Sequence, residues 1–259
     1  MVLQLSMFKG APILVLSAMP SESRLIQNEL SKCSEDKLSI FKYKRGTVGR
    51  HNIISTVTGV GVTNAAMCTA LFVEKLKPKA VIVSGTGSRM HSRVNCGDVI
   101  ISKRTIHHAA GNLTEKGMEY RKVRSPNVEM MTHYLYKPSK TLYNAALAIA
   151  ENYKSAAIRV DQVSYQPKIY AGIVCASDLF GVNRARIDDI RAKLNPDLME
   201  MESAAIAQVC NHLRYPHIVF RAGSNKTQAN PGRDYRKYGQ LAAASAARWT
   251  IHFLKYYSD

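Results

Sequence analysis

The chain has 259 residues, is 46% hydrophobic and carries a formal net charge of +17. That length suits one large α/β domain over residues 1–259 with a full core, and no apolar run is long enough for a membrane span, which sets aside a membrane partner. The basic residues are scattered, without a polybasic tail, a zinc finger or an interleaved aromatic platform, so they read as a solvated surface and not as a nucleic-acid interface.

In chain order, Pro12 to Met19 is a buried strand. Ser21 offers an N-cap for the helix that follows, with Leu25, Ile26 and Leu30 on its inner face and Glu22 in its first turn. Two strands, Leu38 to Val48 and His51 to Thr58, join at Gly49 and Arg50. The run T-G-V-G-V-T-N-A-A, Thr58 to Ala66, then leads into a helix from Asn64 to about Leu76. It lacks the third glycine and the distant acid of a dinucleotide fingerprint, so a nicotinamide cofactor is excluded, although its backbone N–H groups suit a turn beside a ligand. The strand Lys79 to Ser84 runs into S-G-T-G-S, which is not a P-loop, and Val99 to Ser102 is again a strand.

Ile106 to Ser139 is the least regular stretch, of the kind that forms a lid or a subunit contact. A helix spans Thr141 to Asn152, and the strand Lys168 to Cys175 ends in A-S-D-L-F-G. There Phe180 is either a ring that stacks on a base or a core residue beside a helix-capping Asp178. Helices follow at Arg184 to Leu194, Ser203 to Leu213 and Gln240 to Tyr257, with a short apolar segment at Leu198 to Met201 and a buried strand at His217 to Ala222. This alternation predicts a three-layer α/β/α sandwich. The five cysteines, Cys33, Cys68, Cys96, Cys175 and Cys210, are odd in number and unclustered, which argues against disulfides and zinc. They are expected to be small buried hydrophobes in a reducing, cytoplasmic setting, and the first ten residues lack the features of a secretory signal.

The most informative stretch is Asp197 to Asn225. Glu200 and Glu202 lie at the end of one strand, and Arg221, Ser224 and Asn225 at the end of the next. Ligands of open α/β sheets bind outside the carboxyl ends of the strands, so these residues could converge on one crevice, and Glu22 is aimed at it too. The two carboxylates would repel each other unless a ligand hydroxyl, a water or a cation sits between them.

Several motifs now stand in order: A-M-P-S-E, T-G-V-G-V-T-N-A-A, S-G-T-G-S, G-D-V-I-I-S, S-D-L-F, M-E-M-E-S-A-A-I-A-Q-V-C and R-A-G-S-N. Together they resemble the purine nucleoside phosphorylase and nucleosidase superfamily, and within it the 5′-methylthioadenosine/S-adenosylhomocysteine nucleosidases, over about residues 12 to 255. The resemblance implies a central mixed, twisted sheet and cleavage of the N-ribosidic bond of a purine nucleoside, without cofactor or metal, by a homodimer or higher homo-oligomer. It assigns Glu22, Arg221 and Asn225 to catalysis, and Met19, Thr86, Phe180, Glu200, Met201, Glu202 and Ser224 to substrate binding. Glu22 would activate water, Glu202 with Met201 would hold the ribose, Thr86 would lie near ribose and nucleophile, and Phe180 would stack on the base. Arg221 and Ser224 would support the acid at the base.

Asn225 stands where the nucleosidases carry an aspartic acid, and an amide is no general acid. That leaves a preference for 6-oxopurines, a slow or inactive nucleoside-binding relative, or an introduced substitution. Glu22 would repel phosphate, which favours water as the nucleophile, with a phosphate-dependent phosphorylase as the alternative and Arg24 close by to serve it.

Overall fold

Alternate residues of the first strand face opposite ways, and this sets the layers. In the computed structural model, which describes residues 10–122, 134–180, 183–226 and 231–258, β1 is Ile13–Ser17, α1 is Pro20–Asn28, β2 is Ser31–Leu38, β3 is Phe41–Val48 and β4 is His51–Val57. Next come α2 (Val62–Leu76), β5 (Ala80–Arg89), β6 (Val99–His107), β7 (Gly111–Thr114), β8 (Gly117–Tyr120), β9 (Leu135–Tyr136) and α3 (Lys140–Glu151). The chain continues through β10 (Ile158–Val160), β11 (Val163–Tyr165), β12 (Ile169–Ala176), α4 (Arg184–Leu194), β13 (Leu198–Glu200), α5 (Ser203–His212), β14 (His217–Lys226) and α6 (Pro231–Tyr256).

Ile13 and Val15 of β1, Ile82 of β5 and Ile218 and Phe220 of β14 pack with Ile26 of α1, Ala146 of α3 and Trp249 of α6. Their strand neighbours Leu14, Leu16, Val81, Val83 and Val219 pack instead with Phe72 of α2 and Ile206 and Cys210 of α5. A period of two thus feeds two cores, one on each face of the sheet. The sheet runs β13-β12-β6-β14-β5-β1-β4-β3-β2, with β9 beside β6. It is mixed: β1 is parallel to β4 and β5, and β14 is parallel to β5 but antiparallel to β6. This is the α/β/α architecture expected from the sequence.

Several boundaries differ from expectation. Met19, not Ser21, is the N-cap of α1. Pro20 has its φ pre-set for the first helical position and drives the residue before it into an extended conformation, so the helix starts two residues early. The expected strand from Leu38 is broken by a turn at Ser39, which has φ +56°, and a further strand, β2, precedes it. β2 reads S-K-C-S-E-D-K-L, a charged edge strand without apolar alternation, and it carries Cys33 into solvent while the other four cysteines are buried. Strand β14 runs to Lys226, four residues beyond the expected end at Ala222, so Ser224 and Asn225 also lie inside the strand. In the irregular stretch, β7 and β8 pair as a hairpin, while residues 123–133 lie outside the described residues.

Trp249 is fully buried and meets Phe220 and Tyr153 edge-on at centroid distances of 5.7 and 5.2 Å. Trp249→Ala is expected to lower unfolding free energy by about 3–5 kcal/mol in urea denaturation followed by circular dichroism. A loss under about 1 kcal/mol would mean that the α6 layer contributes little to the core.

Candidate active site

The carboxyl ends of β1, β5, β13 and β14 open on a cavity of about 380 Å³. Its lining includes Met19, Glu22, Val60, Thr86, Ser88, Phe180, Glu200, Met201, Glu202, Arg221, Ser224, Asn225 and Tyr235. All ten residues singled out from the sequence are therefore brought to one place.

The strand alternation that buries Val219 against α5 sends Arg221 the same way. Its Nε donates to Ser203 Oγ at the start of α5, at 3.0 Å. Its Nη2 lies 2.5 Å from Glu200 Oε2 and 3.1 Å from Glu202 Oε2. Its Nη1 donates to the Thr86 carbonyl at 3.4 Å and lies 3.9 Å from Glu22 Oε1. Arg221 is the cation that separates the two carboxylates. It does not bond Asn225, and the expected support there comes from Ser224 alone.

Each carboxylate has further partners. Glu22 closes the α1 capping arrangement: its Oε2 accepts from the backbone N–H groups of Ala18 and Met19 at 2.9 and 3.2 Å. Its Oε1 accepts from the Thr86 N–H and hydroxyl, both at 2.8 Å. Glu200 accepts from the N–H groups of Glu202 and Ser203 at 3.0 and 3.1 Å and so anchors the start of α5. This ties Glu200 to the scaffold more than to any ligand. Glu202 Oε1 accepts from the Gly61 N–H at 3.0 Å, which places the T-G-V-G-V turn against the carboxylate. Gly85 must stay bare, because a Cβ there would overlap Arg221 Nη1 and Glu22 Oε1.

Burial is the largest influence on both Glu22 and Glu202; it raises their pKa values, and Arg221 only partly offsets it. Glu202 is pushed up to about 7 from 4.5, with the neighbouring Glu200 adding to the rise.

At the other end of the cavity β14 carries a bulge. Gly223 pairs with Gly87 and Lys226 with Arg89, so Ser224 and Asn225 together oppose Ser88. The bulge lets two consecutive side chains point into one cavity, which a regular strand forbids. Ser224 Oγ donates to Asn225 Oδ1 at 3.0 Å, and Asn225 Nδ2 donates to Ser88 Oγ at 2.9 Å. Phe180, 57% exposed, sits at the mouth. Tyr235 was missed from the sequence. Its hydroxyl lies 3.8 Å from Met19 Sδ, and its position follows from α6 starting at Pro231, in a polar stretch with little helical patterning. Among the described residues, no group of three or more His, Cys, Asp or Glu is placed to hold a metal ion.

A model of the phosphorylase superfamily matches residues 12–255. The chain belongs to that superfamily. This superfamily member is 28% identical over 244 residues to a 5′-methylthioadenosine/S-adenosylhomocysteine nucleosidase of Bacillus cereus (strain B4264), covering 94% of this chain and 98% of that one. It resembles the structure of the nucleosidase of that name from Neisseria meningitidis in complex with methylthio-immucillin-A, with a TM-score of 0.81 and 23% identity over 95% of this chain and 99% of that one. Against S-adenosylhomocysteine nucleosidase from Streptococcus pyogenes in complex with 5-methylthiotubericidin the TM-score is 0.82, at 23% identity over 98% and 100% of the two chains. These likenesses establish the fold of the superfamily member.

The raised Glu202 has a consequence for stability. A carboxyl that holds its proton more tightly when folded stabilises the fold fully below about 4.5, and this contribution is lost as pH rises through about 7. Buried His108 and His217, both pushed down to about 4, act in the opposite sense, so a comparison is needed. The stability of the parent chain relative to Glu202→Gln is expected to fall between pH 4.5 and 7 in parallel thermal melts. A constant difference would show that Glu202 is ionised throughout.

Proposed function

We propose that this chain hydrolyses the N-ribosidic bond of a purine nucleoside. The observation that carries the reading is the pairing, in one cavity, of two buried carboxylates, Glu22 and Glu202, with a polar base end made of Ser88, Ser224 and Asn225. Departure of the base leaves positive charge on the ribose, and carboxylates in a water-poor site stabilise it. Glu202 is assigned the ribose hydroxyls and Glu22 the attacking water, whose proton it accepts. Thr86 sits against Glu22, and Phe180 offers a ring at the mouth for the base. The 28% identical relative is a 5′-methylthioadenosine/S-adenosylhomocysteine nucleosidase, which supports the same class of substrate.

Water is favoured over phosphate by charge. Among the described residues lining the cavity Arg221 is the single cation, and it already faces three carboxylates. A phosphate dianion there would meet an excess of negative charge. At the base end, Ser224 occupies Asn225 Oδ1 and leaves Nδ2 as the group free to exchange its bond to Ser88 for one to a ligand. A donor at that place suits the N7 and O6 acceptors of a 6-oxopurine. We also infer a homo-oligomer, supported by the exposed Val60 and Phe180 at the cavity and the exposed Met67 and Leu179 near them in sequence; light scattering showing only monomer at micromolar concentration would refute it.

The test is chromatographic. Methylthioadenosine, adenosine and inosine are each incubated with the protein, with and without phosphate. Free base in phosphate-free buffer is the expected result, and base that appears only with phosphate would make the chain a phosphorylase. Asn225→Asp, which introduces a carboxyl able to protonate N7, is expected to raise turnover of the adenine nucleosides by about tenfold or more relative to inosine. An unchanged ratio would show that Asn225 does not set the choice of base.

A further inference from the structure

Helix α2 begins without a cap of its own. Its N-cap is Gly61, no side chain there accepts a cap hydrogen bond, and its first turn holds no acid. Free N–H groups at a helix start need acceptors, and carboxylates are favoured there by the helix dipole. Two distant segments supply them. The Gly61 N–H donates to Glu202 Oε1 at 3.0 Å, and the Val62 N–H donates to Asp178 Oδ1 at 2.8 Å. The capping role expected for Asp178 is thus real, but the helix it serves lies 116 residues earlier in the chain. Gly61 permits the approach: its φ is +100°, and a Cβ there would stand 2.7 Å from Asp178 Oδ1.

The root of the Asp178 segment is also tied down. Ser177 and His108 are both fully buried. The Leu179 N–H donates to Ser177 Oγ at 3.2 Å, and Ser177 Oγ lies 2.8 Å from His108 Nε2. Burial pushes His108 down to about 4, so the ring is neutral and its Nε2 can accept the Ser177 proton. The segment from Ala176 to Phe180 is therefore pinned at one end by His108 and at the other by the start of α2.

We propose that Asp178 is a positioning residue that latches the segment bearing Phe180 onto the N-terminus of α2, so that the aromatic ring at the base end and Glu202 at the ribose end are held by the same helix start. The proposal rests on the reading of the cavity as a purine nucleoside site. Its logic is geometric. Adjacent N–H groups of one turn hold Glu202 and Asp178, so movement at either end is felt at the other.

The test compares Asp178→Ala, which removes the acceptor, with Asp178→Asn, which keeps an oxygen facing the Val62 N–H. Affinity for free adenine and hypoxanthine is measured by calorimetry, and KM and kcat for the nucleoside cleaved by the parent. Asp178→Ala is expected to weaken base binding and raise KM by about tenfold with a smaller change in kcat, and Asp178→Asn to recover most of the loss. Base affinity and KM unchanged in Asp178→Ala, or equal losses in both variants, would overturn the latch. A parent chain that binds neither base would overturn the nucleoside reading and the latch with it, whereas a parent that binds and an Asp178→Ala variant that matches it would defeat the latch alone.

Discussion

Arg221 is 1% exposed and faces carboxylates from three separate segments: Glu22 of α1, Glu200 of β13 and Glu202 at the start of α5. Burying such a cluster is no route to stability, since desolvation of each ion costs several kcal/mol and the attraction repays it only with good geometry. What the guanidinium does is fix positions. Its Nε engages Ser203, Nη1 the Thr86 carbonyl and Nη2 the two glutamates, so a planar fork serves three directions at once. A lysine ammonium, a point charge on a flexible stem, could not set those directions. Three carboxylates crowd one cation, and burial, the largest influence, raises the pKa values of Glu22 and Glu202 together.

The fold makes room for this arrangement through two properties of one strand. Up to Ala222, β14 is regular, and its alternation delivers Arg221 to the α5 side while Phe220 and Ala222 enter the core under α6. Beyond Gly223 the bulge abandons the alternation and brings Ser224 and Asn225 to the cavity together. One strand thus supplies both the charged end and the neutral end of the site. β13, antiparallel to the end of β5 with Met199 opposite Ser88, closes the wall between them.

Much of this was legible in the sequence. The apolar runs of β1, β5 and β14 and the helical spacing of α5 follow from burial on both faces, which leaves a strong pattern. The M-E-M-E-S block and Glu22 stood out because carboxylates at strand mouths need a reason. What escaped notice had no local signal. Edge strand β2 is charged and exposed, so it carries no alternation. The start of α1 is decided by Pro20, which outranks the better side-chain cap at Ser21. Tyr235 reaches the cavity from a polar helix start, and the contact between Asp178 and Val62 joins segments far apart in sequence. The sequence places Arg221 at the end of a strand but does not show its burial, because a buried guanidinium is intelligible only once three partners from other elements are known.

The two ends of the cavity therefore divide the chemistry between them. The acidic end holds groups that can accept a proton from water and offset positive charge on a ribose. The amide end can donate a hydrogen bond but cannot give up a proton. On the proposed reading, a base leaving toward Asn225 is stabilised by hydrogen bonds to N7 and O6 and not by a proton from that side chain. A carboxyl at position 225 would close the proton circuit inside the site. On the same reading the amide makes departure of the base depend on the base's own acidity, so the side chain at the end of β14 would bear directly on substrate class.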